Sequence, residues 1–528
     1  MKRMIQSNSS FPERMEKHAK ASWFDLSFNH KTTLSMGMLI PLATKEVYPG
    51  EKVRLQNELR LKFAQMYLPI MHQVYYTCDW YYVTYDQLWP RTYAVDNWTG
   101  WQSFIKQDPI NGTVGFPTFD YARADAIFTD GILNYMGFNA PPAAGTLIST
   151  VENLNALPVS AYGKIYDEYY RNDQIQTPIW FPLEEGDNTA AILTMVPDLR
   201  VLRRNWPRDY YTSATPTPQQ GENILIPSFA TDPDGDYVAQ KILNLDGTAA
   251  AAANLSAGVN SGETVLQQSG IGPVVLQLSS TIRDFRYAAQ MTEYLERALR
   301  AGDRYVDFVQ RNFGYNPNPL YIDRPVWIGG YTGNVIVSDV MATAEVGAYS
   351  VGQYTGNAQA RDNTPVFEYS VPDYGVIICL MTVYPKASYY SGLETMWTRT
   401  EKMSYMWEQF ALIGDQPIRN KEVWFSWYSA DIAWNNEIFG YLPQYTQFKY
   451  SNDIVSGQMR TLWESFHLGR KFTGAGEVIL NDDFIKCVPD IGRVFNVDAE
   501  AGEHECFVHA YNSIQILRKL PINGLPSL

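Results

Sequence analysis

The sequence predicts a mainly β subunit, an antiparallel sandwich or jelly roll whose loops have grown long. Three observations predict it. Segments of period-two polarity recur along the chain, and the stretches between them are rich in Pro, Gly, Asn and Asp. The regular strand–helix alternation that builds a parallel sheet is absent. Rings are abundant, with 36 Tyr, 24 Phe and 14 Trp in 528 residues, whereas charged residues make up only 19% against a usual value of about 25%. Many rings with few charges call for large buried surfaces, in a core or between subunits.

Taken in order, residues 1–22 are polar, with five basic and two acidic side chains, and are expected to be a mobile N-terminal arm. Residues 23–528 read as a single domain with insertions. Residues 53–59 alternate as a strand does. Residues 73–85 are the clearest strand, with Val74, Tyr76, Cys78, Trp80 and Tyr82 on one face and Tyr75, Thr77, Asp79, Tyr81 and Val83 on the other. Both faces carry rings, so both are expected to be covered. Further strands are expected at 192–196, 335–340, 376–384 and 506–517. Helices are few. Leu157-Pro158 with Ser160 starts one, whose Tyr162, Ile165, Tyr166 and Tyr169 share a face. A longer one begins near Ser280, with Ile282, Phe285, Ala289, Leu295 and Leu299 as its stripe and Gly302 as its C-cap. Tyr305, Phe308 and Val309 make a short third helix stopped by Gly314. These stripes are expected to be core packing. Residues 228–273 differ: two rings (Phe229, Tyr237), six Gly and the run Ala249 to Ala253 leave little apolar bulk to bury. They are expected to form a protruding surface insertion, with partial disorder as the alternative.

Composition excludes several functions. Forty-two basic against 56 acidic residues give a net charge of −14, which argues against coating nucleic acid with the whole surface but leaves a local basic patch open. The longest apolar run, residues 376–381, is too short for a membrane span of about 20 residues. The N-terminus has no signal-peptide stretch. Cys78, Cys379, Cys487 and Cys506 are scattered without a CxxC pair, as expected in a reducing compartment. Neither a Walker A loop nor a GxSxG elbow occurs. His504-Glu505-Cys506 followed by His509 approaches HExxH, but the i, i+5 spacing separates the two rings. Asp232, Asp234 and Asp236 resemble the opening of a calcium loop, yet Tyr237 and Leu243 stand where Gly and Glu are needed; a solvated acidic turn is the plainer reading. The pairs Glu184-Glu185 and Asp482-Asp483 would serve as acid and base only across a cleft. Arg203, Arg204 and Arg208, beside Trp206 and Tyr210, could pair phosphates and stack bases of single-stranded nucleic acid, with ion pairing to the chain's own or a neighbour's carboxylates as the alternative. No catalytic residue, cofactor site or firm metal site is read from the chain, and it is expected not to be an enzyme.

Blocks in order carry a resemblance. They run from Phe24-Asp25-Leu26-Ser27, Lys31-Thr32-Thr33 and Gly37-Met38-Leu39-Ile40-Pro41 through Leu157-Pro158 and Tyr169-Tyr170-Arg171 to Arg208-Asp209-Tyr210-Tyr211-Thr212-Ser213-Ala214, the most specific. Gly302-Asp303-Arg304-Tyr305, Asn312-Phe313-Gly314, Arg324-Pro325 to Gly329-Gly330, Gly414-Asp415-Gln416, Asn420-Lys421-Glu422, Phe439-Gly440-Tyr441 and Asp483-Phe484-Ile485 follow. Together they resemble the major capsid protein of the microviruses, gokushovirus-like phages with small icosahedral shells and single-stranded DNA. Thr217, Gln220 and Asp373-Tyr374 depart from the pattern, where Trp, Lys and Glu-His are expected.

The resemblance implies an eight-stranded antiparallel jelly roll, with sixty copies forming a T=1 shell around circular single-stranded DNA in the virion, assembled in a bacterial cytoplasm. It implies as partners other copies in pentamers, a small basic DNA-binding protein, a minor pilot protein, an internal scaffolding protein and a host surface receptor, with no cofactor. It also places a threefold protrusion near residues 228–273. Two other functions fit a ring-rich, acidic β scaffold: a carbohydrate-active enzyme and a cell-surface adhesin.

Overall fold

The computed structural model describes residues 21–520 apart from 95–96, 108–111, 123–129, 139–149, 222–254, 261–262, 269–281, 342–353, 429–430 and 499–501. Two compact units divide the chain, one made of 1–216 with 303–528 and the other of 217–302.

The larger unit is built on two antiparallel sheets. Their strands are β1 (Ser22–Asp25), β2 (Phe28–Leu34), β3 (Ile40–Val47), β4 (Lys52–Phe63), β5 (Val74–Thr84), β6 (Val326–Asn334), β7 (Ile336–Met341), β8 (Tyr354–Asn363), β9 (Phe367–Ser370), β10 (Gly375–Pro385) and β11 (Cys506–Arg518). In the seven-stranded sheet β1 and β2 pair with β11, β11 with β4, β4 with β8 and β9, and β8 with β7. The four-stranded sheet runs β6-β5-β10-β3. From β2 to β5 the chain changes sheet at every step, and it does so again from β9 through β10 to β11. The first and last strands therefore end up hydrogen-bonded neighbours.

Alternation explains the pairing of the sheets. In β4, Val53, Leu55, Leu59 and Leu61 are buried while Lys52, Arg54, Glu58, Arg60 and Lys62 are exposed. β10 is buried along its whole length, as its continuous apolar run requires. The rings on both faces of β5 are covered. Trp80 and Tyr76 lie in the core between the sheets, and Tyr81 packs on Tyr169 and Tyr170, with ring centroids 4.9 and 6.3 Å away, at the end of the helix Leu157–Tyr169. One polar chain crosses the core. Trp80 Nε1 donates to Asn57 Oδ1 at 2.7 Å, Asn57 Nδ2 to Asn512 Oδ1 at 2.6 Å, and Asn512 Nδ2 to the Leu42 carbonyl at 3.1 Å. It ties β5, β4, β11 and β3, two strands from each sheet. All four cysteines are free and buried.

A second, smaller core explains the Asp-Tyr-Tyr-Thr block. Tyr210 and Tyr211 pack with Tyr389, Ile418, Phe439 and Phe484. Asp209 Oδ1 accepts from the Tyr211 and Thr212 amides at 2.9 and 2.8 Å, and its Oδ2 from the Tyr389 hydroxyl at 2.9 Å. The Tyr211 hydroxyl donates to the Glu422 carbonyl at 2.7 Å. The motif is thus a folding device that joins three distant segments.

Three expectations are corrected. Residues 192–196 are no strand; 192–195 lie in the helix Thr189–Met195, with Ile192 and Met195 buried one turn apart, and Val196 is its C-cap. A short apolar run fits either period. The helix Ile282–Ala301 of the smaller unit forms, but its expected stripe is only half buried: Leu299 is covered, Phe285 and Ala289 are exposed. In the helix Tyr305–Phe313, capped by left-handed Gly314, Val306 is buried while Tyr305 and Phe308 are exposed. The expected core stripes are thus left partly uncovered in a single copy. Within the smaller unit, Leu255–Asn260 and Glu263–Gln268 pair as a hairpin. The rest of 228–273, and the arm up to residue 20, lie outside the described residues.

Candidate nucleic-acid interface

The residues singled out from sequence are mostly committed to internal bonds. Arg203 Nη1 donates to the Met36 carbonyl at 2.9 Å. The Arg204 guanidinium lies 4.0 Å from the Tyr384 ring and its Nε donates to the Asn205 carbonyl. Arg208 is exposed. His504 and His509 are bound to different partners: His504 Nε2 meets Asp130 Oδ1 at 2.7 Å and its Nδ1 meets Thr33 Oγ1 at 2.9 Å, whereas His509 Nε2 meets Asn29 Oδ1 at 3.1 Å. The His504 bond holds the Asp130 carboxyl below its ordinary range. Glu505, between them in sequence with Cys506, is fully buried, and desolvation pushes its carboxyl up. Asp482 is paired with Lys486, and Glu184 and Glu185 stand exposed in the loop before the helix Thr189–Met195. Asp232, Asp234 and Asp236 lie outside the described residues.

The arrangement that stands out is the solvent face of the seven-stranded sheet. Alternation sends one side chain in two outward from every strand, and antiparallel register then sets outward residues abreast. One such row is Lys31 (β2), His509 (β11), Arg60 (β4) and Arg361 (β8). The next rows hold Thr33, Phe507, Lys62 and Gln359 on one side, and Asn29, Tyr511, Glu58 and Asn363 on the other. Strands lie about 4.8 Å apart, so the basic row spans roughly 14 Å. The whole face carries six Lys and Arg (Lys31, Lys52, Arg54, Arg60, Lys62, Arg361) against three carboxylates (Asp25, Glu58, Glu368), in a chain of net charge −14.

Two of those cations are paired on the surface, Arg54 with Glu368 at 2.7 Å and Arg361 with Glu58 at 3.3 Å. Lys31, Arg60 and Lys62 have no carboxylate within salt-bridge distance among the described residues. Like charges directly opposite in a sheet destabilise it. An anion laid across the row removes that repulsion. Rings lie on the same face: Trp23, under the Arg54 guanidinium at 4.7 Å, with Phe507 and Tyr511. Cationic side chains interleaved with exposed rings are the equipment of a surface for single-stranded nucleic acid. The sequence does carry a signal for it: Lys52-Val53-Arg54-Leu55 and Leu59-Arg60-Leu61-Lys62 alternate apolar with basic.

The family model described as capsid protein (F protein) of phages matches residues 14–528. The chain belongs to this capsid protein family. Three relatives named capsid protein VP1 agree with it over most of their length. That of Chlamydia phage 1 is 27% identical, covering 96% of this chain and 96% of its own. That of Bdellovibrio phage phiMH2K is 26% identical over 92% and 91%, and that of Spiroplasma virus 4 is 24% identical over 82% and 81%. The protein is therefore a structural subunit of a phage shell, not an enzyme, and its place is the virion. A capsid protein assembles with copies of itself, and its exposed apolar groups fit that task. In residues 393–466, Leu412 is 99% exposed, Trp427 90% and Ile454 82%, with Trp397, Tyr428 and Leu462 open as well. A lone soluble domain rarely leaves so much apolar surface uncovered. No helix among the described residues is long and apolar enough to cross a membrane.

Proposed function

We propose that sixty copies of this capsid protein, grouped as pentamers, close a T=1 shell around circular single-stranded DNA, with the basic face of the seven-stranded sheet turned inward to the genome. The observation that carries this reading is the row Lys31, His509, Arg60 and Arg361, four basic side chains abreast in an acidic chain. On this reading the two sheets are the halves of an eight-stranded viral jelly roll. The exposed apolar groups of 393–466 and of the Tyr305–Phe313 helix become subunit contacts. Residues 228–273 form an outward insertion near a threefold axis that touches the host receptor. A small basic DNA-binding protein, a pilot protein and an internal scaffold complete assembly in the host cytoplasm.

The experiment is charge reversal on the face. Arg60→Glu with Lys62→Glu should leave closed particles in electron micrographs while their DNA content falls. Particles with a full DNA content would contradict the inward placement. A variant that fails to fold is recognised by the loss of particles, and Arg60→Gln with Lys62→Gln then replaces it.

A further inference from the structure

Two adjoining hollows lie on the basic face. One, of about 410 Å³, is lined by Asn29, Glu58, Leu59, Arg60, Arg361, His509 and Tyr511. The other, of about 390 Å³, includes Lys31, Thr33, Arg60, Lys62, Phe507 and His509. Both lie within the range of about 300–1,000 Å³ typical of small-ligand sites. Arg60 and His509 belong to both, so they form the ridge between them. The hollows differ in charge. In the first, Glu58, set abreast of Tyr511, pairs Arg361 and leaves only Arg60 of the ridge as an unpaired cation, whereas the second has Lys31, Arg60 and Lys62 and no carboxylate.

We propose that this pair of hollows is a nucleotide site for the packaged strand, with a base on Tyr511 in the Glu58 hollow and its phosphate across the ridge on Arg60, Lys31 and Lys62. The inference rests on the inward placement of the face and goes beyond it by assigning roles. With Glu58 neutralising Arg361, the first hollow attracts a phosphate less than the second does, so the uncharged base enters there. One Glu58 oxygen holds Arg361, and the other can accept from an exocyclic amino group. The site therefore takes cytosine, adenine or guanine ahead of thymine, because thymine offers no amino donor. Asn29, whose Oδ1 is engaged by His509, keeps its amide N–H groups to donate to a base edge. Phe507, four residues along β11 and about 13 Å away at 3.3 Å per residue, is placed to stack a further base of the same strand.

The test is binding of short single-stranded oligonucleotides to the full-length protein, followed by fluorescence polarisation at low salt. Oligo-dC should bind about fivefold more tightly than oligo-dT, the worth of about one net hydrogen bond. Glu58→Gln should shrink that ratio. Tyr511→Ala should weaken oligo-dC about tenfold and Tyr511→Phe much less, as stacking requires. Tyr511 is a partly exposed surface residue, so particle formation serves as the check on folding. If Arg60→Glu abolishes binding while Tyr511→Ala and the dC/dT ratio leave it unmoved, the face holds phosphate only. The nucleotide site is then wrong although the inward placement stands. If neither variant changes binding, both readings fail. If light-induced crosslinking of full particles joins Tyr511 to a peptide instead of a nucleotide, a protein partner occupies the site and the inference is overturned.

Discussion

Asn57 ties the two sheets together, because three strands besides its own are linked through its amide. Its Oδ1 receives the Trp80 indole, and its Nδ2 holds Asn512, which in turn reaches the Leu42 carbonyl. Replacing it by Ala leaves the buried Trp80 N–H and the Asn512 carbonyl without partners, at a cost of about 1–3 kcal/mol for each orphaned group. Asn57→Ala is expected to lower the urea midpoint of the subunit markedly, whereas Gln56→Ala on the outer face should change it little. Equal effects would contradict the polar tie. Glu505 gives a pH prediction. Its Oε1 accepts from the Met36 amide at 2.5 Å, but its Oε2 is buried with no partner among the described residues, and burial raises its carboxyl above the ordinary 4.5. A raised carboxyl favours the protonated fold, so its contribution is complete below pH 4.5 and is lost as pH rises through the raised value. Glu505→Gln removes that loss. The stability gap between Glu505→Gln and the parent is expected to widen as pH rises above the ordinary 4.5 in denaturant titrations, and a constant gap would refute it. Asp130 runs the opposite way, lowered by His504, and is common to both proteins in the comparison.

Among the elements, the strands with clean alternation are legible in the sequence. β4, β5, β10 and β11 all fall where their patterns place them, with boundaries shifted by a few residues at most, except that β4 runs on to Phe63. β6 does not read as a strand. Its three glycines make Val326–Asn334 look like loop, yet they are there because the neighbouring side chains leave no room. A Cβ on Gly329 would stand 2.3 Å from the Phe367 ring, and one on Gly330 would stand 1.8 Å from Asp79 Oδ1. Gly329→Ala is expected to force Phe367 aside and to lower particle yield and melting temperature together, while Gly474→Ala, with nothing within 4 Å, should alter neither. The helix Thr189–Met195 escapes for the converse cause: its mostly apolar stretch is too short for its period to show. Of the basic row, only the alternation of Lys52 to Lys62 shows in the sequence, and the row itself does not. Lys31, Arg60, Arg361 and His509 are up to 478 residues apart in sequence and meet only through strand register. By contrast Arg203 and Arg204, adjacent in sequence beside rings, are held by Met36, Tyr384 and Asn205 inside the subunit.

For the whole molecule, the family is legible because its motifs keep backbone and core geometry, as Asp209 does in the Asp-Tyr-Tyr-Thr block. The surfaces that serve assembly are less so, since a stripe such as Tyr305 and Phe308 reads the same whether a core or a neighbouring copy covers it. Apolar exposure at Leu412, Trp427 and Ile454 makes the lone subunit the weak state. Isolated copies at micromolar concentration are therefore expected to associate or aggregate in sedimentation runs; a soluble monomer that unfolds cooperatively would contradict this. The central claim is that the basic face of the seven-stranded sheet looks inward, and a cryo-electron microscopy reconstruction of DNA-filled particles tests it most directly. Extra density is expected against Lys31, His509, Arg60 and Arg361 on the inside of the shell. A reconstruction that places this row on the outer surface, or inside but with no density against it, would overturn the inward placement.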